Sequence, residues 1–129
     1  FSLCDTPAGT FERAWLVSPL LDLEYCIRDM MAEYSVTDEQ LEAETEINTP
    51  RGVLEWPYLR LVEKHPARLD IPSWIIRGDQ DEMVPLGTLS RFVGAPGVEL
   101  VQIEGGQHFL GRPPYLDTVV AWFEERYPA

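Results

Sequence analysis

The chain is 129 residues long, with 22 acidic against 10 basic side chains, a formal net charge of −12 and 45% hydrophobic residues. That is enough apolar material for one core in a single domain spanning 1–129. With Lys64 the only lysine, there is no basic stripe for neutralising phosphates, which argues against nucleic acid and anionic membrane surfaces as partners.

Apolar runs such as Ser73-Trp74-Ile75-Ile76 are too short to cross a bilayer and no secretory leader opens the chain, so a soluble, cytoplasmic protein is expected. Cys4 and Cys26 show neither metal-type pairing nor a dense framework, as in a reducing compartment. A disulfide between them stays open, with buried thiols the commoner use.

Ala14-Trp15-Leu16-Val17-Ser18, stopped by Pro19, reads as a short buried strand. From residue 20 to residue 70 the pattern turns helical and acidic. Leu23, Ile27, Met30, Met31 and Tyr34 fall on one helix face, and Thr37-Asp38-Glu39-Gln40 has the form of a capping box opening a second helix, which Asn48, Pro50 and Gly52 break. A third helix is expected around residues 53–64, with Leu54, Tyr58, Leu61 and Val62 on its apolar face.

Residues 73–77 then read as a strand apolar enough to be buried on both faces, ended by Gly78. A short helix is expected over 86–93, a third strand over 98–103 ended by Gly105-Gly106, and a last helix from Pro113-Pro114 that buries Leu116, Val119, Val120 and Phe123. Strand, loop and helix alternating in this order give an α/β fold: three parallel strands, flanking helices and a helical insertion at 20–70.

Ligands gather at the carboxyl ends of parallel strands. Two loops stand there, Gly78-Asp79-Gln80-Asp81-Glu82-Met83-Val84-Pro85 and Glu104-Gly105-Gly106-Gln107-His108-Phe109. Neighbouring strands lie about 4.8 Å apart, so a carboxylate from one loop can reach an imidazole from the next. Such a pair fixes the imidazole tautomer and leaves Nε2 as a general base for a hydroxyl nucleophile.

Gly78-x-x-Asp81-x-x-Val84-Pro85, followed by Gly105-Gly106-x-His108-Phe109, resembles the acid and histidine loops of the α/β-hydrolase family. From Ala14 onward the chain is similar to the C-terminal half of that fold. Trp15-Leu16-Val17-Ser18-Pro19 matches the family's sixth strand, and residues 20–70 match its helical cap. The segment from Leu54 to Leu59, with His65-Pro66 and the strand before Gly78, resembles bacterial esterase-like members.

The resemblance implies catalytic roles for Asp81 and His108 in a Ser-His-Asp triad acting on an ester or similar small acyl substrate, without metal or other cofactor. Met30, Trp56 and Tyr58 are the candidates for lining an apolar substrate pocket; ordinary core packing is the commoner use of such residues.

The family's nucleophile elbow, Gly-x-Ser-x-Gly, does not occur in the sequence. Ser2 has no strand before it and fits the elbow poorly, so the resemblance implies a nucleophile upstream, in an N-terminal half of the same protein, and an inactive segment on its own. A first strand lacking a neighbour recruits one, so a homo-oligomer through that edge is expected as well.

Plainer uses stand beside these. Asp81 competes with Asp79 and with a role as a turn residue, His108 with a satisfied half-buried histidine, and His65 suits a helix C-terminus. Asp38, Glu39, Glu42, Glu44 and Glu46 make a solvated helix face without the loop pattern of a cation site. The competing function is a non-catalytic dimerisation or binding module on the same scaffold, and an aspartate nucleophile as in haloalkane or epoxide hydrolases is a third reading.

Overall fold

In the computed structural model, which describes residue 7 and residues 9–127, three parallel strands form one sheet. Strand β1 (Ala14–Val17) pairs with β4 (Ser73–Gly78), and β4 pairs with β5 (Val98–Ile103), in spatial order β1-β4-β5. The middle position explains the apolar run of β4: Ile75 and Ile76 point to opposite faces and both are fully buried. Registers Trp15 to Trp74 and Trp74 to Glu99 put one row on one face, where the two indoles stack with centroids 5.2 Å apart.

Helix α4 (Leu116–Arg126) covers that face, with Phe123 edge-on to Trp15 at 5.4 Å and Arg126 paired with Glu99 of β5 at 2.7 Å. It starts two to three residues later than the prolines suggest, since residues 113–115 form a turn before it. Its anchor also differs from expectation: Trp122 is buried, Val119 half-buried, and Leu116, Val120 and Phe123 are exposed. Spacing names the apolar side of a helix but not how much of it is covered. The expected helix over 86–93 is a 3-10 turn, Leu86–Leu89, continued by further turns that bury Leu89 and Phe92.

The chain divides into two compact units, one made of residues up to Leu20 and from Arg68 on, the other of Leu21–Ala67. In the second, helix α1 (Leu23–Glu33) starts at Asp22, whose carboxylate accepts from the Tyr25 amide at 2.9 Å. Helix α2 (Asp38–Glu44) starts at Thr37, whose hydroxyl accepts from the Gln40 amide at 3.1 Å. The Gln40 side chain does not complete a capping box; it donates to Glu44. Thr45 ends α2 with a φ of 68°, and an antiparallel hairpin follows, β2 (Glu46–Thr49) with β3 (Gly52–Glu55).

That hairpin replaces the expected start of the third helix. Helix α3 spans Trp56–Lys64 with Pro57 in its first turn, a place where proline's missing N–H costs nothing. Leu54 therefore belongs to β3, and the buried residues of α3 are Leu59 and Val62, while Tyr58 and Leu61 face solvent. Ile27, Met31, Leu41, Leu54, Leu59 and Val62 form this unit's core. Arg28 ties its helices together by pairing with both Asp38 and Glu63.

Candidate functional site

At the carboxyl end of β4 the chain meets the carboxyl end of β5 at a separation only glycine permits. A Cβ on Gly78 would lie 2.0 Å from the Gly106 carbonyl oxygen. The strand ladder continues through this contact, the Asp79 amide donating to Ile103 O at 3.0 Å and the Gln80 amide to Gly106 O at 2.9 Å. The loops after the two strands are thus held side by side.

Asp81 lies within the first loop with a fully buried carboxylate. Its Oδ1 accepts from the Met83 amide at 3.0 Å and the Val84 amide at 2.9 Å, closing a tight turn. Its Oδ2 faces His108 Nδ1 at 3.0 Å. An ionised carboxylate only accepts, so Nδ1 donates and Nε2 is left as the basic nitrogen. The imidazole is 23% exposed, open on one side, with Phe109 edge-on to it at 4.9 Å.

Three further side chains fix this geometry. Ser18, directly after β1, takes a φ of 46° and donates from Oγ to His108 O at 2.8 Å, while its amide donates to Ile76 O. That left-handed backbone is uncommon for a residue with a Cβ, and it turns the chain sharply out of β1. Asp79, weighed against Asp81 as the acid, instead accepts from the Gly105 amide at 2.8 Å, tethering the histidine loop. The Tyr115 hydroxyl donates to Gly105 O at 3.0 Å, and Gly105 has a φ of 71°.

Arg77, the last residue before Gly78, is buried beneath the acid loop. Sequence reasoning passed over both Ser18 and Arg77. The available signal for Arg77 was a lone cation inside an apolar strand; Ser18 had none beyond its place at a strand end.

Asp81 and His108 come together. Met30 and Trp56, by contrast, pack against the core of the helical unit, and Arg60 lies over the Trp56 ring at 5.4 Å, while Tyr58 is exposed. Cys26 is a free thiol in α1; Cys4 and Ser2 lie outside the described residues. Among the described residues no group of three or more His, Cys, Asp or Glu is placed to hold a metal ion, and no helix is long and apolar enough to cross a membrane.

A three-stranded parallel sheet with flanking helices, an inserted helical segment and an Asp-His pair at the strand ends is the C-terminal part of an α/β-hydrolase fold. The solved structures agree on the fold. Alpha/beta hydrolase domain-containing protein 10 from mouse matches 87% of this chain and 50% of its own, at 15% identity and a TM-score of 0.63. The Paleococcus ferrophilus monoacylglycerol lipase matches 91% of this chain and 59% of its own, at 12% identity and a TM-score of 0.50. This chain therefore spans between half and three-fifths of those proteins. No protein-family model and no curated protein matches the sequence.

Proposed function

We propose that this chain carries the acid and the base of a serine hydrolase that cleaves an ester or a similar acyl bond. One observation carries the reading: a buried carboxylate, Asp81, bonded at 3.0 Å to His108 Nδ1 at the ends of adjacent parallel strands. In the reaction, His108 Nε2 takes the proton of a serine hydroxyl as its oxygen attacks the acyl carbonyl carbon. The same nitrogen then returns the proton to the departing alkoxide, and Asp81 holds the ring in place and stabilises the imidazolium between the two steps.

The serine is assigned to the protein outside residues 1–129, since no elbow pentapeptide occurs within them. The lengths of the structural neighbours support this, and one of them is by name a lipase. A cytoplasmic setting is proposed with this reading, in keeping with two cysteines that show neither metal-type pairing nor a dense framework.

The outer edge of β1 has no strand beside it among the described residues. The strand carrying the serine is proposed to add there, and in its absence a second copy of β1. Sedimentation of the 129-residue chain at micromolar concentration tests this: a dimer or larger assembly is expected, and monomer alone refutes it.

The catalytic reading is tested in the complete protein with a short-chain p-nitrophenyl ester. Asp81→Asn is expected to lower kcat about ten-thousandfold, since it spoils the tautomer while keeping the shape, and His108→Ala by at least as much. Residues 1–129 alone are expected to show no turnover above buffer. Wild-type kcat in either variant refutes the dyad, and turnover by the isolated chain that Ser2→Ala abolishes refutes the external serine.

A further inference from the structure

We propose that Arg77 is the positioning residue of the Asp81–His108 pair, a proposal that rests on reading those two as acid and base. Arg77 is 3% exposed on the central strand, directly after two fully buried isoleucines. Among the described residues none of its hydrogen bonds goes to a carboxylate, and its Nε is buried without a partner. A buried cation with an orphaned N–H is a costly way to fill a strand position, one that an apolar side chain fills without penalty.

What the guanidinium gains is three oxygen acceptors. Nη2 donates to Asp81 O at 3.2 Å and to Val84 O at 3.0 Å, the two ends of the turn whose inner amides bond to Asp81 Oδ1. Nη1 donates to Gln102 Oε1 at 2.8 Å, and Gln102 is the register partner of Arg77 on β5. One planar fork thus joins the central strand, the backbone of the acid turn and the strand that runs into the histidine loop. Because it grips the backbone of Asp81 itself, it sets the origin from which Oδ2 reaches His108.

Only the fork shape does this. Lysine keeps the charge but offers its donors from one point and cannot span β5 and the turn together. Methionine fills the volume and leaves both carbonyls unpaired.

The test is the 15N and 1H NMR spectrum of the His108 ring, with His65, the other of the two histidines, as internal reference. In the wild-type chain the Nδ1–H tautomer and its bonded proton are expected. In both Arg77→Lys and Arg77→Met, exchange of that proton with solvent is expected to rise on the order of tenfold as the turn loosens, and the Nδ1–H tautomer loses its dominance, while His65 is unmoved. Gln102→Ala, at an exposed site, is expected to give a weaker change of the same sign, and it decides the matter where the Arg77 variants do not fold.

A merely structural role lowers the melting temperature and leaves the His108 spectrum alone; that result in the folded variants overturns the proposal. A lysine variant with the wild-type spectrum overturns it too, since charge alone would then suffice. The spectrum needs no turnover, so failure of the complete protein to hydrolyse esters sinks the hydrolase reading and leaves the role of Arg77 to be judged on its own.

Discussion

Gly78→Ala tests whether the two loops are held together by contact at the strand ends. The added Cβ would lie 2.0 Å from Gly106 O, 2.2 Å from Gly106 C and 2.6 Å from Gln107 O, all backbone atoms that cannot rotate away. Carbon atoms of this kind essentially never come within 3.0 Å, so the histidine loop must retreat by about 1 Å. His108 follows Gln107 directly, whereas Asp81 is held to its own turn by bonds at 2.9 and 3.0 Å. The retreat therefore opens the 3.0 Å contact between them to about 4 Å, beyond hydrogen bonding.

It also strains the Asp79–Ile103 and Gln80–Gly106 bonds. The expected cost is about 1–3 kcal/mol of stability, as for other overpacked sites, and about a hundredfold in kcat of the complete protein for a misplacement of about 1 Å. Urea midpoints measure the first and p-nitrophenyl ester hydrolysis the second. Gly111→Ala is the control, since its Cβ would meet nothing within 4 Å, and it should stay within about 0.5 kcal/mol of wild type. A Gly78→Ala protein with the wild-type midpoint and kcat would refute the close approach and the argument built on it.

Ser18→Ala removes the donor to His108 O; about 0.5–1.5 kcal/mol of stability should go, with kcat falling and KM unchanged, and equal losses from Ser90→Ala, whose hydroxyl is exposed and local, would show the effect to be unspecific. The Cys26 thiol is raised above its ordinary 9.0 by burial first and then by Asp22 and Asp29, with Arg51 opposing. The folded chain thus holds this proton more tightly than the unfolded one, so the stability it contributes is complete below the unfolded value and disappears as pH rises through the folded one. Iodoacetamide at pH 8 should label Cys26 more slowly in the native chain than in urea, as read by peptide mapping, and equal rates would contradict the assignment.

The Asp81–His108 pair was legible because each residue sits in a short local pattern, a glycine that closes a strand followed by a titratable residue a few positions on. The strands before them were legible as apolar runs. The hairpin was not: Ile47 with Asn48 and Val53 with Leu54 give too few alternations to separate β2 and β3 from the helical residues around them, and Pro50 and Gly52 read as breakers without naming a turn. Arg77 and Ser18 were illegible for another reason. Both act on backbone carbonyls, which every residue has, so no partner side chain in the sequence marks their bonds. The exposed side of α4 shows the same limit, since burial of Leu116 or Val120 depends on what else covers the face.

The two halves of the pair are anchored differently, and this decides where distant changes are felt. Asp81 is held by Met83, Val84 and Arg77, all within four residues of it, so its position is set by β4 and its own turn. His108 depends on Ser18 at the end of β1, and its loop on Asp79 and Tyr115 from two other segments. Displacing Ser18 is therefore expected to bear on His108 more directly than on Asp81. The outer edge of β1, without a neighbour among the described residues, is also where a further strand is proposed to add, and that strand would fix Ser18 and, through its hydroxyl, the carbonyl of His108. On this geometry a strand added beside β1 would bear on His108 through Ser18, while Asp81 is held from β4 and its own turn.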